Sequence, residues 1–163
     1  MTNHTLLPAD AVPAGEAVLN PFAILDDAAG WVTFVTEVFD APEVLEARTP
    51  LPDGRLIHAQ VQMGTVQLMC ADRLDGWPAR PALLQVWVRD LDLVLRRAAE
   101  RGAETVTEPT PFWGGTTLAR VLDPWDNLWW LYAPAPGQAD PAYDSDVVFS
   151  TLDRTLRSLS TGA

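Results

Sequence analysis

The sequence predicts an α+β fold made of two tandem βαβββ modules, followed by a C-terminal helix. The main observation is a repeated order of elements, in which an apolar strand, an amphipathic helix and three further strands occur twice. The second is the spacing of two predicted helix caps, since Asp27 and Asp90 are 63 residues apart and a fixed period indicates an internal repeat. Two such modules side by side form a curved mixed sheet with outer helices and a concave face for a ligand.

The first module begins with a short apolar strand and a capped helix. Asp27 precedes a segment whose apolar residues recur at helical spacing, so we expect a helix that ends near residue 39. The apolar residues of this helix are Trp31, Phe34, Val35 and Val38. A turn is predicted at residues 52–54, where proline fixes φ and glycine accepts a positive φ. Strands are predicted at residues 20–25, 43–49, 56–62 and 66–70.

The second module restarts the same pattern after a polar connection at residues 71–81. Asp90 is the predicted helix cap, and Gly102 is placed to end that helix. A glycine-bearing loop at residues 109–115 carries Trp113, and a turn is predicted at residues 123–127. Strands are predicted at residues 82–88, 104–108, 117–122 and 128–133.

The two ends of the chain lie outside the repeat. Residues 1–19 are predicted to form an N-terminal extension, and residues 134–163 a linker and an amphipathic helix. The apolar stripe of that helix comprises Val148, Phe149, Leu152, Leu156 and Leu159. This stripe must be buried, and we expect it to pack on its own domain or on a second subunit.

Composition excludes several classes of function. The formal net charge is −11 and no basic cluster is present, so neither nucleic acid nor a membrane surface is an expected partner. The N-terminus has no basic stretch and no continuous apolar segment, which predicts no signal peptide and a cytoplasmic protein. The single cysteine excludes an internal disulfide and a cysteine-based zinc site.

Four sequence segments together indicate a family. They are NPFAILDDA, PDGRLIHAQVQMG, VWVRDLD and DPWDNLWW. The chain resembles the PhnB-like branch of the vicinal oxygen chelate superfamily, the glyoxalase and bleomycin-resistance-like proteins. The resemblance covers residues 20–133, with modules at about 20–72 and 82–133, and implies the glyoxalase/bleomycin resistance fold. It implies no single activity, because the superfamily includes both metal-dependent enzymes and metal-free proteins that sequester antibiotics.

The resemblance also implies where a metal ion would bind. Counting back from the helix caps and along the last strands, we place the ligand positions at Asn20, Leu83, Trp130 and Leu68, or Gln67 if the register slips by one. Leucine and tryptophan offer no lone pair to a metal, and asparagine is a weak ligand. We therefore predict no metal and no cofactor, and we do not expect metal-dependent glyoxalase or dioxygenase activity.

Strand alternation predicts which side chains face the ligand. Asn20, Phe22 and Ile24 are expected on the concave face, with Val66, Leu68 and Cys70 beside them. Leu83, Gln85 and Trp87 are expected there from the second module, together with Leu128, Trp130 and Tyr132. The predicted ligand-binding residues are Asn20, Phe22, Gln85, Trp87, Trp113, Trp130 and Tyr132. The alternative is that these aromatic side chains only fill the interior.

Three further side chains have both a structural and a functional interpretation. His58 is the only histidine expected in ordered structure, so it is the candidate general acid or base. A structural histidine, bonded within the sheet or placed at a dimer contact, is the simpler expectation. Arg120 either holds a carboxylate or pairs at the surface with Glu108, and we expect the surface pair. Cys70 is expected to be a buried, unreactive thiol.

The leading hypothesis is a metal-independent protein that binds a hydrophobic or aromatic small molecule and sequesters a metabolite or antibiotic. The first alternative is a metal-free isomerase, cyclase or lyase that uses His58 as acid or base. The second is a non-catalytic interaction module built on the C-terminal helix. A homodimer is expected in each case.

Overall fold

The computed structural model describes residues 5–137 and 145–160, and the chain forms two compact units, Met1–Pro81 and Ala82–Ala163. Each unit contains a four-stranded mixed sheet. The order of elements confirms the predicted α+β fold with two βαβββ modules and a C-terminal helix.

Unit 1 has the strand order β1-β4-β3-β2, in which β1 and β4 are parallel and the other neighbours antiparallel. Its elements are β1 (Phe22–Leu25), α1 (Ala28–Phe39), β2 (Thr49–Pro50), β3 (Leu56–Met63) and β4 (Val66–Asp72). Asp27 caps α1 as predicted, because its carboxylate accepts a hydrogen bond from the Gly30 amide at 3.0 Å. The Asp72 carboxylate adds a second acceptor for this helix end, 2.8 Å from the Ala28 amide nitrogen.

Unit 2 has the equivalent strand order β5-β8-β7-β6, with β5 and β8 parallel. Its elements are β5 (Leu83–Trp87), α2 (Leu91–Glu100), β6 (Glu104–Phe112), β7 (Thr116–Leu122), β8 (Leu128–Pro134) and α3 (Ser145–Ser160). The Asp90 carboxylate caps α2 through the Leu93 amide at 2.9 Å. Gly102 follows α2 with φ of +84°, a conformation that glycine adopts without strain.

The sheet of unit 2 has one helix on each side. Val148 of α3 packs with Leu118 and Tyr132 on one face. The other face carries Trp129 and Leu131, which are fully buried, and α2 contacts the same strands, β6, β7 and β8. The face with Leu118 and Tyr132 is called the α3 face below.

Two strand predictions were wrong. Residues 43–49 do not form one strand, because Leu45–Ala47 makes a 3-10 turn and only Glu43 and Thr49–Pro50 bridge β3. Residues 109–112, predicted as loop, continue β6. Pro109 and Pro111 are tolerated there because β6 is an edge strand with two register shifts.

Within the described residues, no helix combines the length and the apolar character required to cross a lipid bilayer.

Candidate ligand-binding face

An aromatic pair lies on the α3 face of unit 2. Trp87 of β5 and Tyr132 of β8 are partners in the parallel register, and their rings stack with centroids 5.2 Å apart and planes inclined by 27°. Gln85 is likewise the register partner of Trp130. The structure therefore brings together four of the seven predicted ligand-binding residues on one sheet face, as strand alternation requires.

Tyr132 is the centre of a larger aromatic group. The Trp130 ring lies 6.5 Å from it and the Phe112 ring 5.9 Å, both in tilted orientations. Phe112 is not among the predicted binding residues, because the sequence predicts a loop at residues 109–115. The two register shifts in β6 interrupt its alternation, so no simple pattern in the sequence identifies Phe112.

Polar groups lie at the edge of this aromatic group. The Gln85 amide nitrogen is 3.4 Å from the Tyr132 hydroxyl oxygen and donates to it. Burial raises the pKa of Tyr132, and the nearby positive charge of Arg120 opposes that rise. The hydroxyl therefore stays protonated at neutral pH and keeps a proton to donate.

Two of the tryptophans present much of their surface to solvent. The Trp87 side chain is 66% exposed although one face of it covers Tyr132, and Trp113 is 73% exposed. Trp113 lies in the turn between β6 and β7, where its carbonyl oxygen accepts a hydrogen bond from the Thr116 hydroxyl. No ring contact joins Trp113 to the described aromatic group, so its place in the site stays a prediction.

Arg120 is the residue that sequence reasoning misplaced. The expected surface pair with Glu108 is wrong, because the Arg120 side chain is fully buried. Its Nη1 atom donates to the Thr107 hydroxyl at 3.1 Å and to the Val148 carbonyl oxygen at 2.8 Å, while its guanidinium carbon lies 3.8 Å from the centre of the Trp130 ring. Burial lowers the pKa of Arg120, although an arginine remains charged at neutral pH.

The C-terminal helix occupies the same face. Its Val148 packs with Leu118 and Tyr132, and its backbone accepts the hydrogen bond from Arg120. The Thr151 hydroxyl of α3 is also 2.7 Å from that of Thr107 on β6. The helix thus packs on its own domain, one of the two arrangements expected for it.

Of the two ligand-binding side chains predicted in unit 1, Asn20 is committed to structural contacts. The side-chain oxygen of Asn20 accepts hydrogen bonds from the backbone N–H groups of Gln67 and Ala17. Its side-chain nitrogen donates to the Glu16 carboxylate and to the Ala17 carbonyl oxygen. Phe22 is half-exposed. Ligand contacts by Asn20 and Phe22 stay predictions.

His58 lies in the sheet of unit 1 with one ring nitrogen already bonded. Its Nδ1 atom donates to the Ala47 carbonyl oxygen at 3.0 Å, and its ring is 6.0 Å from that of Phe22. This hydrogen bond fixes the ring orientation. An acid or base role for His58 stays a prediction.

The register of β4 corrects one face assignment. Phe22 pairs with Met69, so Leu68 and Cys70 share a face with Ala23 and not with Phe22. Cys70 is fully buried there, as expected for an unreactive thiol. Burial, with the charges of Asp72 and Glu43, raises the pKa of Cys70 to about 12, so the thiol does not ionise at neutral pH.

The residues at the counted metal positions do not fit a divalent cation. In unit 1 the shifted position is Gln67, whose side-chain oxygen is buried without a hydrogen-bond donor, while the Asn20 oxygen is already shared by two amides. In unit 2, Leu83 and the Trp130 indole supply no lone pair. No group of three or more His, Cys, Asp or Glu side chains suited to a metal occurs in the described part of the chain.

Comparison with known proteins identifies relatives of this chain. The family model described as the glyoxalase/bleomycin resistance protein/dioxygenase superfamily matches residues 18–131. An uncharacterised protein of Mycobacterium bovis is 31% identical over 130 residues, which cover 73% of this chain and 84% of that protein.

Two solved structures share the fold at lower identity. The PhnB protein of Bacillus cereus is 16% identical with a TM-score of 0.55, over 71% of this chain and 98% of that one. The fosfomycin resistance protein FosX of Listeria monocytogenes is 13% identical with a TM-score of 0.57, over 72% of this chain and 93% of that one.

Proposed function

We propose that this chain, which belongs to the glyoxalase/bleomycin resistance protein/dioxygenase superfamily, binds a flat hydrophobic small molecule without a metal ion. The observation that supports this function is the stacked pair of Trp87 and Tyr132, in which Trp87 keeps 66% of its surface exposed. Members of the superfamily bind small molecules, and this pair offers a rigid aromatic surface for one.

The physical basis of the proposed binding is the rigidity of the Trp87–Tyr132 pair. A tryptophan that already stacks on a buried tyrosine loses little freedom when a third ring covers its open side. Each offset-stacked aromatic contact contributes about 0.5–1.5 kcal/mol beyond the burial of apolar area. The Gln85 amide and the Tyr132 hydroxyl, 3.4 Å apart, are the polar groups that orient the ligand at the edge of this surface.

The donor chemistry of Leu83 and Trp130 supports the proposed absence of a metal requirement. We further propose a biological role in sequestration of a toxic metabolite or antibiotic, as a cytoplasmic homodimer. FosX, which has the same fold, is a fosfomycin resistance protein. The role proposed for this chain requires no chemical step on the ligand.

The experiment uses 2-naphthalenemethanol, a neutral bicyclic compound, as the probe. Its dissociation constant is measured by isothermal titration calorimetry with untagged protein in buffer that contains EDTA. We expect the wild-type protein to bind it, and Trp87→Ala to weaken binding at least tenfold. The matched control is Trp77→Ala, since Trp77 is a 40% exposed tryptophan of unit 1 and its removal is expected to leave the affinity unchanged.

Two results contradict the proposal. One is equal affinity of the wild-type and Trp87→Ala proteins, which removes the aromatic pair from the binding site. The other is a stoichiometric divalent metal in the native mass spectrum of protein purified without chelator, together with loss of probe binding in EDTA. Together, the bound metal and the loss of binding in EDTA show that probe binding depends on the metal.

A further inference from the structure

In the described part of unit 2, three buried N–H groups have no hydrogen-bond acceptor. They are Nε and Nη2 of Arg120 and Nε1 of Trp130. The two residues are antiparallel partners on β7 and β8, so these donors lie side by side on the α3 face. All three are donors, and one of the two side chains carries a full positive charge.

The two free nitrogens of Arg120 are chemically a pair. Nε and Nη2 share one edge of the planar guanidinium, and that edge matches both oxygens of a carboxylate. The third nitrogen, Nη1, is not part of this edge and donates its hydrogen bonds to the Thr107 hydroxyl and the Val148 carbonyl oxygen. Both nitrogens of this edge therefore lack an acceptor among the described residues and can bind a carboxylate together.

Among the described residues, no carboxylate pairs with Arg120. Its bonded partners among the described residues are hydroxyl and carbonyl oxygens, and the Trp130 ring lies over its charge. A buried cation without an anionic partner is destabilised by the loss of water, and a ligand oxyanion relieves that cost.

We propose that the Nε–Nη2 edge of Arg120, with the Trp130 indole N–H beside it, binds the carboxylate of an aromatic ligand whose rings stack on Trp87. This inference rests on the proposed function, because it names the chemical class of ligand for the same face. Trp130 and Tyr132 are two residues apart on β8, so the Trp130–Arg120 pair and the Trp87–Tyr132 pair are separated by about 7 Å. A fused bicyclic acid spans such a distance.

The C-terminal helix contacts the buried Arg120 side chain. Arg120 is fully buried while its Nη1 atom is bonded to Val148 of α3. The proposal therefore requires α3 to shift from the sheet when a carboxylate binds Arg120.

The test compares two probes with the same rings, 2-naphthoate and neutral 2-naphthalenemethanol. Their dissociation constants are measured by calorimetry at pH 7 in EDTA. We expect wild-type protein to bind the carboxylate at least tenfold more tightly than the alcohol. The ratio is expected to approach one in Arg120→Met, which removes the charge, and to fall below tenfold in Arg120→Lys, which keeps the charge but lacks the two-nitrogen edge. The control Arg96→Met removes an exposed arginine of α2 and is expected to keep the ratio.

The outcomes separate this inference from the proposed function. If wild-type protein binds both probes equally, the carboxylate site is overturned while the aromatic binding function stands. If it binds neither probe, the proposed function and the carboxylate site both fail. A tenfold preference that survives in Arg120→Lys also overturns the bidentate edge. The wild-type comparison and the lysine variant decide the matter even if Arg120→Met does not fold.

Discussion

The guanidinium carbon of Arg120 lies 3.8 Å from the centre of the Trp130 ring. The two residues are register partners on neighbouring strands, and the arginine is fully buried. The π face of tryptophan is therefore a principal source of electrostatic stabilisation for this charge within the described residues, with the oxygens of Thr107 and Val148 contributing hydrogen bonds.

Replacement of Trp130 by alanine is expected to destabilise unit 2 strongly. The change removes both the ring over Arg120 and a large buried surface, so we expect a loss of about 3–5 kcal/mol in the free energy of unfolding. Trp130→Phe keeps a ring over the charge and is expected to lose about 1–2 kcal/mol. Urea unfolding followed by circular dichroism measures both, and equal losses contradict a stabilising role for the stacked ring.

Loss of the Asp123 carboxylate is expected to disrupt the turn before β8. This buried side chain accepts hydrogen bonds from the Trp125 and Asn127 amides, the Asn127 side chain and the Trp129 indole. Asp123→Ala leaves several buried donors unsatisfied, and we expect it to lower the free energy of unfolding by about 3 kcal/mol.

The neighbouring Asp126 provides the control for Asp123. It is exposed and has φ of +65°, so Asp126→Gly is compatible with the backbone and is expected to leave stability within about 0.5 kcal/mol of wild type. Thermal unfolding of the two variants gives the comparison. A small effect of Asp123→Ala shows that the turn is held by its backbone alone.

The repeat and the α3 face of the second module were predictable because helix caps and regular strand alternation are local features of the sequence. Asp27 and Asp90 are caps with the expected side-chain bonds, and uninterrupted alternation placed Gln85, Trp87, Trp130 and Tyr132 on one face. In the first module, the predicted register of β4 differs from the observed register by one residue, which places Leu68 on the face opposite to Phe22.

The rest of the site depends on long-range contacts that no local pattern contains. Leu118 and Arg120 lie on the same face of β7, as strand alternation predicts. Arg120 is buried there in contact with α3, whose Val148 lies 28 residues further along the chain and accepts its hydrogen bond. Single-sequence reasoning treats an arginine on a strand as exposed because arginine is seldom fully buried. Phe112 was missed for a different reason, since two register shifts in β6 remove the regular period.

The contact between α3 and the sheet predicts a large difference between two adjacent valines. Val148 is buried against Leu118 and Tyr132, whereas Val147 is 38% exposed. We expect Val148→Ala to lower the free energy of unfolding by about 2 kcal/mol and Val147→Ala by less than about 0.5 kcal/mol. Urea unfolding measures this, and similar values for both variants contradict the packing of α3 on its own sheet.

The native mass of a chain ended after residue 137 tests the interaction-module alternative, which requires that the assembly be lost while the domain remains folded.

The buried thiol of Cys70 predicts a loss of stability at alkaline pH. Burial raises its pKa from 9.0 to about 12 in the folded protein, so the thiol ionises first in the unfolded chain. Its contribution to stability is therefore complete below pH 9 and is lost as the pH rises from 9 towards 12. At pH 10 the loss amounts to about 1 kcal/mol, from 1.36 kcal/mol for each pKa unit between the two states.

The measurement is urea unfolding of the wild-type and Cys70→Ala proteins at pH 7.5 and pH 10. Other groups, including Tyr132, also titrate in this range, so the relevant quantity is the difference between the two proteins. We expect the wild type to lose about 1 kcal/mol more than Cys70→Ala between the two pH values. Iodoacetamide at pH 8 is expected to modify Cys70 only after urea unfolding, since the alkylating species is the thiolate. Rapid alkylation of the folded protein, or identical pH dependence of the two proteins, contradicts the raised pKa.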